Sequence, residues 1–165
     1  LNEISESSSW QVDPENVLVQ RCPALAEGMS ANTTLTSEVC WCVRAWGDWV
    51  AGVITPGFIR VFLLPGGGEL WGDVPPGHPR YVTLGRSDWK FFAGNDDVLG
   101  PYQYVDLAQP VGEVMGMDVA YLLVNSARTA MGLEAAVAVA VEIATEEPPK
   151  PLSRRGFLRA LSGRR

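Results

Sequence analysis

Two runs of apolar, β-branched and aromatic residues, 40–46 and 49–54, are separated only by Gly47-Asp48. Two strands joined by so short a link must fold back on each other. Glycine at the first central position suits a type II′ turn, so the chain contains a tight antiparallel hairpin. The rest of the fold has to be arranged around that hairpin. After Thr55-Pro56-Gly57, residues 58–64 are apolar except for Arg60, which fits a third strand buried on both faces better than a short buried helix. Pro65-Gly66-Gly67-Gly68 and the proline cluster at 75–79 mark a long loop. Beyond it, residues 81–84, 89–92 and 102–107 alternate around turns at 85–88 and 94–100, the pattern of an antiparallel meander.

Helical signals flank this sheet. Asp13-Pro14-Glu15 reads as N-cap, first helical position and first-turn acid, followed by Val17, Leu18, Cys22 and Leu25 at helical spacing. Pro23 should end or kink that helix, because proline removes a backbone donor and clashes with the preceding turn. A second helix starts at Asp118, with Val119, Leu122, Leu123, Ser126 and Ala130 on one face and Gly132 at its stop. Residues 133–143 read either way: alanine favours helix, whereas the alternation of Val137, Val139, Val141 and Ile143 favours strand. The expected architecture is one α+β domain over residues 13–145, an antiparallel sheet packed by an N-terminal and a C-terminal helix. A Ser- and Glu-rich segment, 1–12, is expected to be disordered, with Trp10 available to dock. Residues 146–165 form a Pro-rich linker and a basic tail.

Charge and composition narrow the function. At 165 residues and 47% hydrophobic content, the chain can build one core. Its longest apolar run, 135–141 between Glu134 and Glu142, falls far short of the ~20 residues of a membrane helix, so no integral membrane segment is expected. Cys22, Cys40 and Cys42 make an odd set without paired spacing, which points to a reducing compartment and hence the cytoplasm. Of 13 basic and 19 acidic residues, six basic and no acidic ones lie from Lys150 onward, leaving a body of charge −12 and a tail of +6. Such a body argues against a nucleic-acid face. The tail, Ser153-Arg154-Arg155-Gly156-Phe157-Leu158-Arg159, reads like a twin-arginine export motif. An export signal needs an N-terminal basic region followed by an apolar stretch, and only residues 160–165 follow here. The motif is therefore expected to be displayed and not to act as an address. It folds back on the acidic surface, recruits an anionic partner, or is simply a solvated basic terminus that aids solubility.

Most catalytic and metal readings fail. His78 stands alone in a Pro-Gly loop, and three cysteines with one histidine in unpaired positions do not make a four-ligand zinc site. Cys40-Trp41-Cys42 places both thiols on one strand face, where they are either a soft-metal or redox pair or simply small hydrophobes. No Gly-Lys-Ser/Thr follows Gly66-Gly67-Gly68, which reads as a flexible turn and not a phosphate cradle. Asn32-Thr33-Thr34 matches a glycosylation sequon that would be idle in the cytoplasm, and Asp96-Asp97 and Asp118 read as turn and cap residues. No cofactor is expected. Trp41, Trp46, Trp49, Trp71 and Trp89 lie on or beside strands, and the opposite parity of Trp41 and Trp46 forbids one common face. They form either a second core layer beneath the loop 65–79 or an apolar groove for a peptide. The candidate protein-binding residues are accordingly Trp46, Trp49 and Trp71, with Arg154, Arg155, Phe157 and Leu158 of the tail.

The segments Gly52-Val53-Ile54-Thr55-Pro56 and Val61-Phe62-Leu63-Leu64-Pro65-Gly66, then Trp71, Tyr81-Val82-Thr83-Leu84-Gly85 and the twin-arginine tail, in that order, resemble the HybE family. The resemblance runs from Asn16 to the C-terminus. That family comprises assembly chaperones of nickel-iron hydrogenases. The resemblance implies a non-enzymatic maturation factor that binds small- and/or large-subunit precursors, notably a small subunit with a twin-arginine signal, and discourages export before assembly. Some relatives add a rubredoxin-like module with paired Cys-x-x-Cys motifs. This chain has none, so a resident iron centre does not carry over. The rival readings are a small metal- or redox-active accessory protein using Cys40 and Cys42, and an oxygen-protective accessory factor. The chain begins at Leu1, as a trimmed or partial chain would.

Overall fold

A computed structural model describes residues 9–133. The element order is α1 (Glu15–Leu25), β1 (Glu38–Ala45), β2 (Asp48–Ile54), β3 (Ile59–Leu64), β4 (Pro79–Leu84), β5 (Ser87–Asp96), β6 (Gly100–Asp106), a 3-10 turn (Val111–Glu113) and α2 (Met117–Ala130). All six strands form one antiparallel sheet in the order β1-β2-β3-β6-β5-β4. It consists of two meanders. After β3 the chain runs to the far edge and returns through β4 and β5, so that β6 docks on β3 and closes the centre.

β2 and β3 are buried on both faces, as continuous apolar runs require. Strand parity sorts their side chains. Val50, Ile54, Ile59, Val61 and Leu63 join Ala120, Val124 and Ala127 of α2 and Met131 just after it, while Trp49, Ala51, Val53, Phe62 and Leu64 join Leu18 and Cys22 of α1. Each wholly buried Val, Leu or Phe removes enough apolar surface from water to contribute about 1.5–3 kcal/mol. Arg60, the one charge in β3, keeps its place because its guanidinium stacks on Phe58 at 4.3 Å and Tyr104 at 4.0 Å, and its Nε donates to Asp106 at 2.7 Å. Asn32 is likewise structural. Its amide donates to the Val111 and Val114 carbonyls and its oxygen accepts from Thr34, which leaves no free amide at the sequon.

Several sequence expectations are corrected. The first hairpin turns one residue earlier than expected: Ala45 pairs with Asp48, and Trp46 and Gly47 both have positive φ, 51° and 89°, as a type I′ turn demands. A β-bulge lies between Val39 and Trp41, so Cys40 faces the α2 side with Trp41 while Cys42 faces the α1 side. The two thiols therefore do not share a face. On α2 the buried positions are Ala120, Val124 and Ala127, with Tyr121 and Leu123 half-buried against the same core, whereas Leu122 is 66% exposed, so the expected face of Val119, Leu122, Leu123, Ser126 and Ala130 is not the buried one. Pro23 lies inside α1, which stops two residues later at Leu25. The first helix starts at Glu15 with Pro14 as its N-cap, one residue later than expected, so Asp13 lies one position before the cap, where its carboxylate accepts the Glu15 amide. Trp10 docks: its amide donates to Pro65 and its carbonyl accepts the Trp49 indole. The choice between helix and strand for 133–143, and the linker and tail, lie outside the described residues apart from Leu133, which is wholly buried.

Candidate functional site

The β1–β2 hairpin tip is the place where an exposed aromatic side chain meets a rigid framework. Its organiser is Asp48, the first residue of β2, whose side chain is wholly buried. One carboxylate oxygen accepts the amides of Gly66 (2.7 Å) and Gly68 (2.9 Å), and the other accepts those of Leu70 (2.8 Å) and Trp71 (2.9 Å). A carboxylate can be buried only when its lone pairs are filled in this way. The loop after β3 is thus wrapped around Asp48 and is not the flexible turn that its glycines suggest.

Those glycines serve close backbone packing. A Cβ on Gly68 would lie 2.2 Å from the Trp46 carbonyl oxygen, and one on Gly47 would lie 2.6 Å from the Gly68 Cα. The Glu69 amide donates to the Trp46 carbonyl, and Arg44 donates to the carbonyls of Gly47 and Gly66. Farther along the loop, Arg80 donates to the Leu70 carbonyl and to Gln103, and the buried Gln103 amide donates to the Gly72 carbonyl. Asp48, Arg80 and Gln103 were not singled out by sequence. The available signal was an aspartate at the hairpin turn followed by an unusually Gly-rich loop.

The three predicted tryptophans do not line one groove. Trp46 is 52% exposed in a left-handed conformation that a bulky side chain seldom adopts. Trp49 is buried on the α1 side, beneath the Arg44 guanidinium at 5.1 Å. Trp71 packs half-buried on the α2 side and donates its indole N–H to Asp73. Leu70, also in the loop after β3, packs beside it against that core, and Trp89 packs half-buried on the same side. Arg154, Arg155, Phe157 and Leu158 lie outside the described residues.

The thiols are poorly suited to chemistry. Burial pushes the Cys40 thiol up to about 11, the Cys22 thiol up to about 12 and the Cys42 thiol higher still, so the nucleophilic thiolate is disfavoured at neutral pH. Among the described residues no three His, Cys, Asp or Glu side chains converge as a metal set, and no helix is long and apolar enough to cross a membrane.

The [NiFe]-hydrogenase assembly chaperone HybE family model matches residues 25–160. The fold is similar to the solution structure of HybE from Escherichia coli, with a TM-score of 0.58 at 18% sequence identity, covering 77% of this chain and 81% of that one. No curated protein sequence matches the chain. With most of its length matched by that family model, the chain belongs to the HybE family of [NiFe]-hydrogenase assembly chaperones, which are not enzymes.

Proposed function

We propose that this chaperone works in the cytoplasm on the precursor of a hydrogenase small subunit, holding it before export, and that Trp46 is the anchor of the contact. The observation that carries this reading is the placement of Trp46. A bulky residue occupies a left-handed turn position, half exposed, on a tip tied down by Asp48, Arg44 and the Glu69 amide. Asparagine or glycine would hold the same turn at a lower conformational cost, on the order of 1 kcal/mol. A sequence that accepts this cost and displays an indole on a rigid support resembles a preorganised binding hot spot. The tail belongs to the same proposal: Arg154, Arg155, Phe157 and Leu158 present a client-like signal and act as a competitor of the client's own.

The test separates stability from binding. Trp46→Asn should leave the fold as stable as the parent or more so, by up to about 1 kcal/mol, while weakening precursor binding by at least about 2 kcal/mol, roughly thirtyfold. Titration of a small-subunit precursor against both proteins reads the second effect. Unchanged affinity in the variant would remove Trp46 from the contact, and no affinity in the parent would remove the small subunit as client. Deleting residues 153–165 should tighten binding of the isolated twin-arginine peptide; unchanged or weaker binding would reject the competitor role.

A further inference from the structure

The sheet ends in two edges that the fold treats differently. β1 carries the bulge at Cys40, displays Glu38 and Arg44, and is contacted by α1, while Tyr121 of α2 donates to Glu38. Bulges and charges are the usual means of blunting an edge. β4 has neither device. It pairs with β5 in unbroken register from Pro79 to Leu84 and carries one charged residue, Arg80, whose guanidinium is turned inward to Gln103 and Leu70.

The hairpin fixes which β4 groups face outward. Gly85 and Arg86 form its two-residue turn, Gly85 with φ +67°, so the closing pair Leu84 and Ser87 exchanges hydrogen bonds and the alternation continues through Val82 and Arg80. Tyr81 and Thr83 therefore point their N–H and C=O groups away from the sheet. Among the described residues nothing outside the sheet bonds to either amide. Their side chains stand on the face that α1 leaves open, with Tyr81 65% exposed. Pro79 has no N–H to offer, which confines pairing to the stretch around Tyr81 and Thr83.

Charge selects the occupant. Elsewhere in the described domain the cations are committed: Arg21 and Arg60 to aspartates, Arg44 and Arg80 to carbonyls, Arg128 over Trp41. Arg86 and Lys90, beside β4, are exposed and form no ion pair among the described residues; Lys90 lies over the Phe92 ring at 5.4 Å, and Asp88, the cross-strand neighbour of Thr83, accepts that residue's hydroxyl at 2.6 Å, so the edge carries two cations to one acid. Lys90 is the cross-strand neighbour of Tyr81. A strand added beyond β4 would lie about 9–10 Å from Lys90, a gap that a lysine and a facing carboxylate can close. Distant acids of the body count for little, since charge is screened over about 8 Å at physiological salt. A second copy would instead oppose Arg86 and Lys90 to their own kind.

We infer that the β4 edge accepts an extended, acid-bearing segment of the client as an added strand, with Tyr81 and Thr83 supplying the main-chain hydrogen bonds and Arg86 and Lys90 reading carboxylates. The inference rests on the client-binding reading above and assigns that client a second contact. The edge lies at the opposite side of the sheet from β1 and its turn residue Trp46, five strand spacings or about 24 Å away. The segment it takes is chemically unlike a twin-arginine signal, which Arg86 and Lys90 would repel.

Hydrogen exchange on the full chain gives the first test. The Tyr81 and Thr83 amides should exchange freely in the protein alone and slow at least tenfold with an eight-residue peptide of alternating valine and glutamate. The lysine counterpart of that peptide should bind at least tenfold more weakly at low salt, and an N-methylated version of the acidic peptide should not bind. Thr83→Pro removes one outward donor and should weaken the acidic peptide and the small-subunit precursor about tenfold, while Thr83→Ser, which keeps both the N–H and the hydroxyl that donates to Asp88, should bind within about twofold of the parent. Denaturant unfolding of both variants guards against loss of fold. If Thr83→Pro unfolds, the N-methylated peptide decides between edge pairing and simple charge attraction. Precursor binding unaffected by a folded Thr83→Pro would overturn the edge contact and leave the Trp46 reading standing. Failure of the precursor to bind at all would remove the client, and the peptide experiments would then decide the edge by themselves. Tyr81 and Thr83 amides already protected in the protein alone would show the edge covered, by the chain or by a second copy, and would overturn the inference.

Discussion

Replacing Asp48 by asparagine exchanges a single heavy atom and should be among the most damaging polar substitutions in this domain. The four amides around the carboxylate are divided two and two between its oxygens, at 2.7–2.9 Å. An amide side chain has one acceptor oxygen and one donor nitrogen, so whichever way the new side chain turned, two backbone N–H groups would face an NH2. Each buried donor left without an acceptor costs about 1–3 kcal/mol, and the two surviving bonds lose their charge assistance. Relief from burying a charge offsets part of this, leaving a net loss of about 3–4 kcal/mol. That is a large fraction of the roughly 5–15 kcal/mol by which domains are typically stable. Urea denaturation measures the loss, and hydrogen exchange at Gly66, Gly68, Leu70 and Trp71 should locate it in the loop. A change below about 1 kcal/mol with those four amides equally protected would refute the claim that Asp48 holds the loop and, through it, the hairpin tip.

Truncating Val53 or Ile54, both wholly buried, to alanine should cost about 1–4 kcal/mol, and a loss below about 0.5 kcal/mol in denaturant would mean that β2 is not central. Acid stability should depend on Asp96. The Arg21 guanidinium, together with the Leu99 and Val98 amides, holds its carboxyl at about 2, below the ordinary carboxylate value of about 3.9. The native state thus binds fewer protons than the unfolded one, and the contribution of Asp96, complete above pH ~4, is lost as pH falls through ~2. Asp96→Asn should flatten the dependence of the urea midpoint on pH across that window, and parallel profiles for variant and parent would contradict the assignment.

The pattern of residue types along the chain determined the fold class. Period-two and continuous apolar runs specify six strands, two capped helical segments flank them, and a two-residue link between strands forces a hairpin whatever else happens. These are local constraints, and a sequence states them directly. The identity of the family was also legible, because ordered short motifs persist in the sequence itself. What sequence could not supply were facts that depend on meeting a distant partner. A turn slipped by one residue put Trp46 in a left-handed position, because pairing of Ala45 with Asp48, and not local preference, fixes the register. One bulge residue sent Cys40 and Cys42 to opposite faces, since side-chain parity reverses wherever a ladder gains a residue. Which side of α2 is buried was decided by packing on β2 and β3, which takes Ala120, Val124 and Ala127 into the core and leaves Leu122 outside it. The buried role of Asp48 was invisible for the same reason: in the sequence it is one polar residue at a turn, and only folding of residues 66–71 around it supplies the four donors that make its burial possible.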